Sequence, residues 1–173
     1  MLAMKRISVQ KIALVGVFAA LSLGIYAVEA QFPVSSIGEI KLGLANVVTL
    51  CAMIFIGRAA ACCVLGIRIL LASAFYGTFV SFMFSIVGGA LACAVMCLLV
   101  NRFDRKQIWV VSVFGALGHN AGQLCVAAVL SGTGAVVSLA PYLAISAVGT
   151  GLLTGVVVQR LWFSPLRKFA VKK

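Results

Sequence analysis

The sequence predicts an all-α integral membrane protein, a single transmembrane domain over residues 1–173 built as a six-helix bundle with both termini on the cytoplasmic side. Three observations predict it. The chain is 64% hydrophobic and only 10% charged, with a mean hydropathy of +1.20. An average globular protein is about a quarter charged, so this chain has too few polar side chains to cover a water-facing surface. Its apolar residues fall in runs suited to helices of about 20 residues, the length that crosses a hydrocarbon core. Its basic residues sit between those runs, in the alternation that membrane topology imposes.

The first run covers 12–30 and is ended by Gln31, Phe32 and Pro33, with a polar stretch through Lys41. The second covers 42–57 and stops at Arg58; the third covers 59–75 and carries Arg68 within it. The fourth covers 79–100 and leads into 101–107, the most charged internal loop. The fifth covers 108–130, is followed by Ser131, Gly132, Thr133 and Gly134, and gives way to the sixth at 135–158. With both ends inside, Lys5, Arg6, Lys11, Arg58, Arg102, Arg105, Lys106, Arg160, Arg167, Lys168, Lys172 and Lys173 share the cytoplasmic side, and only Lys41 lies outside. That asymmetry is the one expected of a multi-pass protein of a bacterial cytoplasmic membrane. The basic start of the chain, followed by Val28, Glu29 and Ala30, faintly resembles a signal peptide with its cleavage site. The apolar run is longer than the usual apolar region of about 7–15 residues, and its removal would spoil the charge alternation, so the first helix is expected to be retained.

Several chemistries are excluded. Glu29, Glu39 and Asp104 are the only carboxylates, so no pair at helical spacing exists to hold a diphosphate through magnesium or to act as acid and base. There is no Walker A glycine loop for nucleotide phosphates. A formal charge of +11 suggests nucleic acid, but the cations are scattered between apolar runs rather than gathered on one face. The chain is not expected to be an enzyme or to carry a cofactor or metal.

Ionisable groups within the bilayer are costly, about 2.5–3.5 kcal/mol for an arginine at mid-helix on the insertion scale. Arg68 lies ten residues beyond Arg58, which at 1.5 Å per residue is about 15 Å, near the midplane. His119 lies about as deep in the fifth span, beside Asn120 and one turn from Gln123. Glu29, Lys41 and Asn46 lie at the outer ends of the first two spans. The polar groups therefore occupy the outer half and the middle. They suggest a cavity open to the outside, with Arg68 at its floor and His119, Asn120 and Gln123 along one wall, suited to an anionic or amphipathic solute. The alternative is that Glu29 neutralises Arg68 while the amides and the imidazole tie helices together by hydrogen bonds.

The cysteines give no extracytoplasmic disulfide framework, since none lies in an outer loop, and there is no haem or iron–sulfur spacing. Cys93 and Cys97 stand one turn apart, Cys62 and Cys63 are adjacent, and Cys51 and Cys125 stand alone. They read as small apolar residues, with a shared metal or redox site as the alternative. Ala13, Gly16, Ala20, Gly24 and Ala27 recur at spacings of three and four, a smooth stripe that lets another helix approach. Gly88, Gly89 and Ala92, and Gly149, Gly151 and Gly155, offer similar contacts. Nothing in the sequence tells whether those partners are internal or a second subunit.

The run from Glu39 through Lys41-Leu42-Gly43-Leu44-Ala45-Asn46 to Leu50, the Arg68 helix followed by Phe82 to Gly89, and the block Gly115 to Gln123 containing Gly118-His119-Asn120-Ala121-Gly122-Gln123 closely resemble the Gx transporter family, also labelled heptaprenyl diphosphate synthase component I. The resemblance covers about residues 10 to 160. It implies an architecture similar to the substrate-binding S components of energy-coupling factor transporters, six-helix bundles with an outward-facing pocket. In those proteins a small-residue stripe on the first helix meets a transmembrane T subunit driven by two cytoplasmic ATPases. Ala13, Gly16, Ala20 and Gly24 match that stripe, though without a clean A-x-x-x-A spacing. Prenyl diphosphate synthases use D-D-x-x-D motifs, which this chain lacks.

Three roles follow. The leading one is a solute-binding membrane subunit of an uptake system working by alternating access. The second is a membrane accessory subunit of heptaprenyl diphosphate synthesis or of a flavin- or quinone-linked redox assembly. The third, a structural membrane protein without a ligand, leaves the deep Arg68 unexplained.

Overall fold

The computed structural model describes residues 9–29, 31 and 43–170, which form a helical bundle. Lys41, a candidate ligand contact, lies outside the described residues, as do Lys5, Arg6, Glu39, Lys172 and Lys173. Six α-helices are described: α1 (Val9–Glu29), α2 (Asn46–Phe55), α3 (Arg58–Tyr76), α4 (Phe79–Leu99), α5 (Ile108–Ser131) and α6 (Ala140–Phe163). All but α2 belong to segments long and apolar enough to cross a membrane, so the chain is a multi-pass membrane protein. Consecutive helices run in opposite directions. The ends of α2, α4 and α6 meet the starts of α3 and α5 at one basic end, where Arg58 Nη1 donates to the Cys97 carbonyl at 3.4 Å. There the Trp162 ring takes Arg105 and Arg167, each guanidinium 5.1 Å from its centroid, and meets Phe55 edge to face at 5.6 Å. An indole held between two guanidiniums suits a membrane–water boundary, where an apolar ring and its charged neighbours can both be satisfied.

Two segments differ from the expected ranges, each for a local reason. The second run, expected to cross over 42–57, forms in α2 a helix of only 10 residues, about 15 Å long against a core of about 30 Å. Glycines in left-handed conformations bound it: Gly43 at φ 76° and Gly57 at φ 135°. The Gly57 turn lets α3 begin at Arg58 directly after the α2 cap at Ile56, with the N–H groups of both Ile56 and Gly57 donating to the Ala52 carbonyl. A helix this short is stable because every residue of it except Val47 is buried, wrapped by α1, α3, α4, α5 and α6; a helix apolar all round belongs in a core. The sixth run, expected over 135–158, opens as a 3₁₀ segment, Gly134–Leu139, and continues as α6 to Phe163. Pro141 sits in the first turn of α6, where its missing N–H is harmless.

Glycines set how closely the helices approach. A Cβ on Gly155 would lie 2.4 Å from the Trp109 Cα, and one on Gly151 2.6 Å from the Val113 Cα, so α6 lies backbone to backbone on α5. There Ser112 and Thr154 hydroxyls bond at 2.8 Å. On the other side of α5, Gly122 meets the backbone of Gly88, and Gly115 meets the Met96 side chain. The apolar core gathers toward the basic end, from Leu50 to Phe55 of α2 and its cap Ile56, with Val64, Leu65, Ala92, Met96, Val111 and Val158.

Candidate functional site

The polar side chains collect in the opposite half of the bundle. Ser22, Tyr26 and Glu29 are spaced by four and three along α1, the interval that places them on one helical face, and all three are buried. Ser22 donates to the Ala45 carbonyl at 3.5 Å, and the Tyr26 hydroxyl bonds Ser81 on α4 at 3.2 Å. The Glu29 carboxylate accepts the backbone N–H groups of Gly43 and, at 3.2 Å, Leu44. It thereby satisfies donors that the start of α2 leaves open and ties the end of α1 to the chain entering α2.

Arg68 projects from α3 into this region and is only 3% exposed. Its guanidinium lies 5.6 Å from the centroid of the Tyr26 ring. Among the described residues no carboxylate is within ion-pair distance, and neither Nε nor Nη2 has a hydrogen-bond partner. On α4, Arg68 Nη2 is 3.5 Å from where a Gly89 Cβ would stand, while a Gly88 Cβ would stand 3.0 Å from His119 Nδ1 and 3.1 Å from Gln123 Cγ. The Gly88-Gly89 pair thus gives way to the guanidinium on one side and to the α5 side chains on the other.

His119 and Gln123, one turn apart, are bonded through His119 Nε2 and Gln123 Nε2 at 3.1 Å. His119 also converges with the start of α2: a Cβ on Gly43 would lie 2.6 Å from His119 Cδ2 and 3.1 Å from Asn46 Nδ2. Asn46 is 9% exposed, and its Nδ2 has no hydrogen-bond partner among the described residues. Arg68, Glu29, Asn46, His119 and Gln123 therefore come together, along with the buried Tyr26 and Ser81 that sequence reasoning passed over. The four-and-three spacing of Ser22, Tyr26 and Glu29 was the readable signal for the α1 contribution. Asn120 departs from the wall expected of it. It turns toward α6, donates from Nδ2 to the Leu143 carbonyl at 2.8 Å, and lines a separate cavity of about 280 Å³ between α5 and α6 with Leu117, Leu124 and Ala144.

The small-residue stripe faces the other way. Ala13, Gly16, Ala20 and Gly24 are exposed, and nothing lies within 4 Å of a Cβ built on Gly16 or Gly24. Gly88 and Gly89 of α4, Gly115, Gly118 and Gly122 of α5, and Gly151 and Gly155 of α6 pack internally. Gly149, expected to join them, is exposed with nothing within 4 Å of its Cβ, because it lies on the outer side of α6, as this face of α1 lies on the outside of the described chain.

The arrangement is a buried cation with open donors among the described residues, beside the amides, hydroxyls and imidazole of its neighbours and the Glu29 carboxylate that is bonded to backbone N–H groups. It is suited to holding an acceptor-rich group. Neither a curated protein nor a solved structure matches the chain. A family model described as heptaprenyl diphosphate synthase component I matches residues 18–161, spanning the Glu29, Asn46, Arg68 and His119 positions together. With most of its length matched, the chain belongs to the heptaprenyl diphosphate synthase component I family, the Gx family that its Lys41-to-Asn46 and Gly118-to-Gln123 blocks resemble.

Proposed function

We propose that this protein is the substrate-binding membrane subunit of an uptake system of the energy-coupling factor type. It captures a small anionic or amphipathic solute from outside at the Arg68 region, and partner subunits drive the solute's release inward. One observation carries the reading: the buried Arg68 presents two guanidinium nitrogens without partners among the described residues. A charge held in the membrane interior without a pairing acid is expensive, and an anionic oxygen of a ligand supplies what the described residues do not. Glu29, Asn46, His119, Gln123 and Lys41 complete the proposed ligand set, and Asn120, turned toward the Leu143 carbonyl, stands apart from it. Ala13, Gly16, Ala20 and Gly24 form the face on which a T subunit, with its two ATPases, docks. The basic end faces the cytoplasm in this reading, and six segments cross the bacterial cytoplasmic membrane, the second being α2 with the residues before it.

The test is mass spectrometry of the protein released gently from its native membrane, wild type beside Arg68→Ala and Arg68→Lys. Two charge-assisted hydrogen bonds are each worth about 1.5–3 kcal/mol, so Arg68→Ala weakens solute retention by at least about 100-fold. Lysine keeps the charge without the fork and recovers only part of it. A ligand retained equally by a folded Arg68→Ala chain refutes the site.

The family's description favours a second reading, a non-catalytic membrane component of heptaprenyl diphosphate synthesis. The same experiment separates the two. Co-purifying T and ATPase subunits support uptake, and a ligand-free chain bound to a soluble synthase subunit supports the accessory role.

A further inference from the structure

Between the Arg68 region and the basic end, six residues before Arg68 on α3, three thiols from two helices meet. Cys93 and Cys97 are one turn apart on α4 and point to the same side, and Cys62 of α3 comes up against them. The three Sγ atoms all lie within 4.8 Å of one another, with Cys62 and Cys93 at 3.7 Å. A metal with bonds of about 2.3 Å to sulfur needs its ligand sulfurs about 4.0 Å apart in a trigonal plane, so small side-chain rotations complete such a set. Chance placement of small apolar residues readily gives pairs; a convergent triangle of sulfurs is a chelating arrangement.

Its surroundings fit the same role. Cys93 is buried, Cys97 is half-buried and Cys62 is exposed, so the triangle runs from the surface of the bundle inward. Cys62 lies one turn into α3 and Cys97 two residues from the end of α4, within about 6 Å of the basic end at 1.5 Å per residue. Arg58, one turn before Cys62, is anchored to the Cys97 carbonyl and places a positive charge beside the sulfurs. Among the described histidines, cysteines and acids no fourth ligand joins the group. That disfavours Zn(II), which takes four ligands in structural sites, and favours Cu(I), which thiolates select.

We propose that Cys62, Cys93 and Cys97 form a three-thiolate Cu(I) site at the basic end of α3 and α4. Binding replaces three S–H protons with three Cu–S bonds and releases the protons to water. No electron is transferred, and the resulting dianionic centre is partly offset by Arg58.

The test is an anaerobic titration of the reduced full-length chain in mild detergent with Cu(I) held by a chromophoric bicinchoninate competitor. The expected result is one tightly held equivalent. Cys62→Ser, Cys93→Ser and Cys97→Ser should each weaken it by at least about 100-fold, since even ligand-supporting residues commonly cost 10- to 100-fold. Cys51→Ser, Cys63→Ser and Cys125→Ser should leave it unchanged. A second readout needs no variant: in the wild-type chain, Cu(I) should protect Cys62 from maleimide while its neighbour Cys63, also exposed, is still labelled. No uptake beyond the competitor, uptake that survives Cys93→Ser, or equal protection of Cys62 and Cys63 would each overturn the site.

Discussion

Gly155→Ala tests how α5 and α6 are held together. The added Cβ would stand 2.4 Å from the Trp109 Cα and 2.8 Å from the Ser112 Cβ, while carbon atoms in good contact are about 3.5–4.0 Å apart. Both neighbours belong to the backbone or its first side-chain atom, so no flexible group can yield; the helices must separate locally by about 1 Å. Overpacking of this kind costs about 1–3 kcal/mol. The separation also stretches the 2.8 Å Ser112–Thr154 bond, and such interhelical bonds average about 0.6 kcal/mol in membranes. Against this, replacing glycine by alanine inside a helix gains about 0.5–1 kcal/mol. The net expectation is a loss of about 1–3 kcal/mol. Gly16→Ala is the matched control, because its Cβ meets nothing within 4 Å and only the helix-forming gain of about 0.5–1 kcal/mol remains. Thermal unfolding of both variants in the same detergent should lower the midpoint of Gly155→Ala and leave that of Gly16→Ala equal to or above wild type. Equal midpoints for the two would refute the close α5–α6 packing.

Three further outcomes are expected. Gly57→Ala forces a side chain into φ 135°, a region costing about 1–3 kcal/mol for residues other than glycine, and should lower the unfolding midpoint although nothing crowds its Cβ; an unchanged midpoint would argue against the tight α2–α3 turn. Glu29→Gln removes the charge that accepts from Gly43 and Leu44, and with charged hydrogen bonds worth about 1.5–3 kcal/mol it should speed amide exchange at the start of α2 before it affects the basic end; uniform exchange across the chain would count against it. Gly16→Leu with Gly24→Leu should abolish co-purification of a membrane partner while leaving stability and solute retention intact. A partner recovered in full would move the docking face elsewhere.

Much of the architecture was legible from local properties. Composition and run length announce a multi-pass membrane protein because the bilayer imposes its thickness on every crossing segment, independent of which helix lies beside which. The place of Arg68 ten residues beyond the start of α3 followed from counting along one helix, and the polar concentration in one half of the bundle from reading where Glu29, Asn46, His119 and Gln123 fall in their runs. The block from Gly118 to Gln123 carried the family resemblance, being a contiguous string.

What lay beyond reach depends on rotation and approach between helices, which one-dimensional periodicity leaves free. The α1 stripe and the glycines of α4 and α6 look alike in sequence, yet Gly155 touches the α5 backbone while Gly16 faces outward. Asn120 and Gln123 lie three residues apart, yet one bonds α6 and the other bonds His119, because a helix rotates about 100° per residue and only its neighbours decide what each side meets. The shortness of α2 turns on two glycine dihedrals and on burial by five other helices. The sulfur triangle exists only because the start of α3 lies against the end of α4, bringing Cys62 to residues 31 and 35 positions away. A chain's own order specifies its solvent and its segments, while the convergence of distant side chains is a property of their packing.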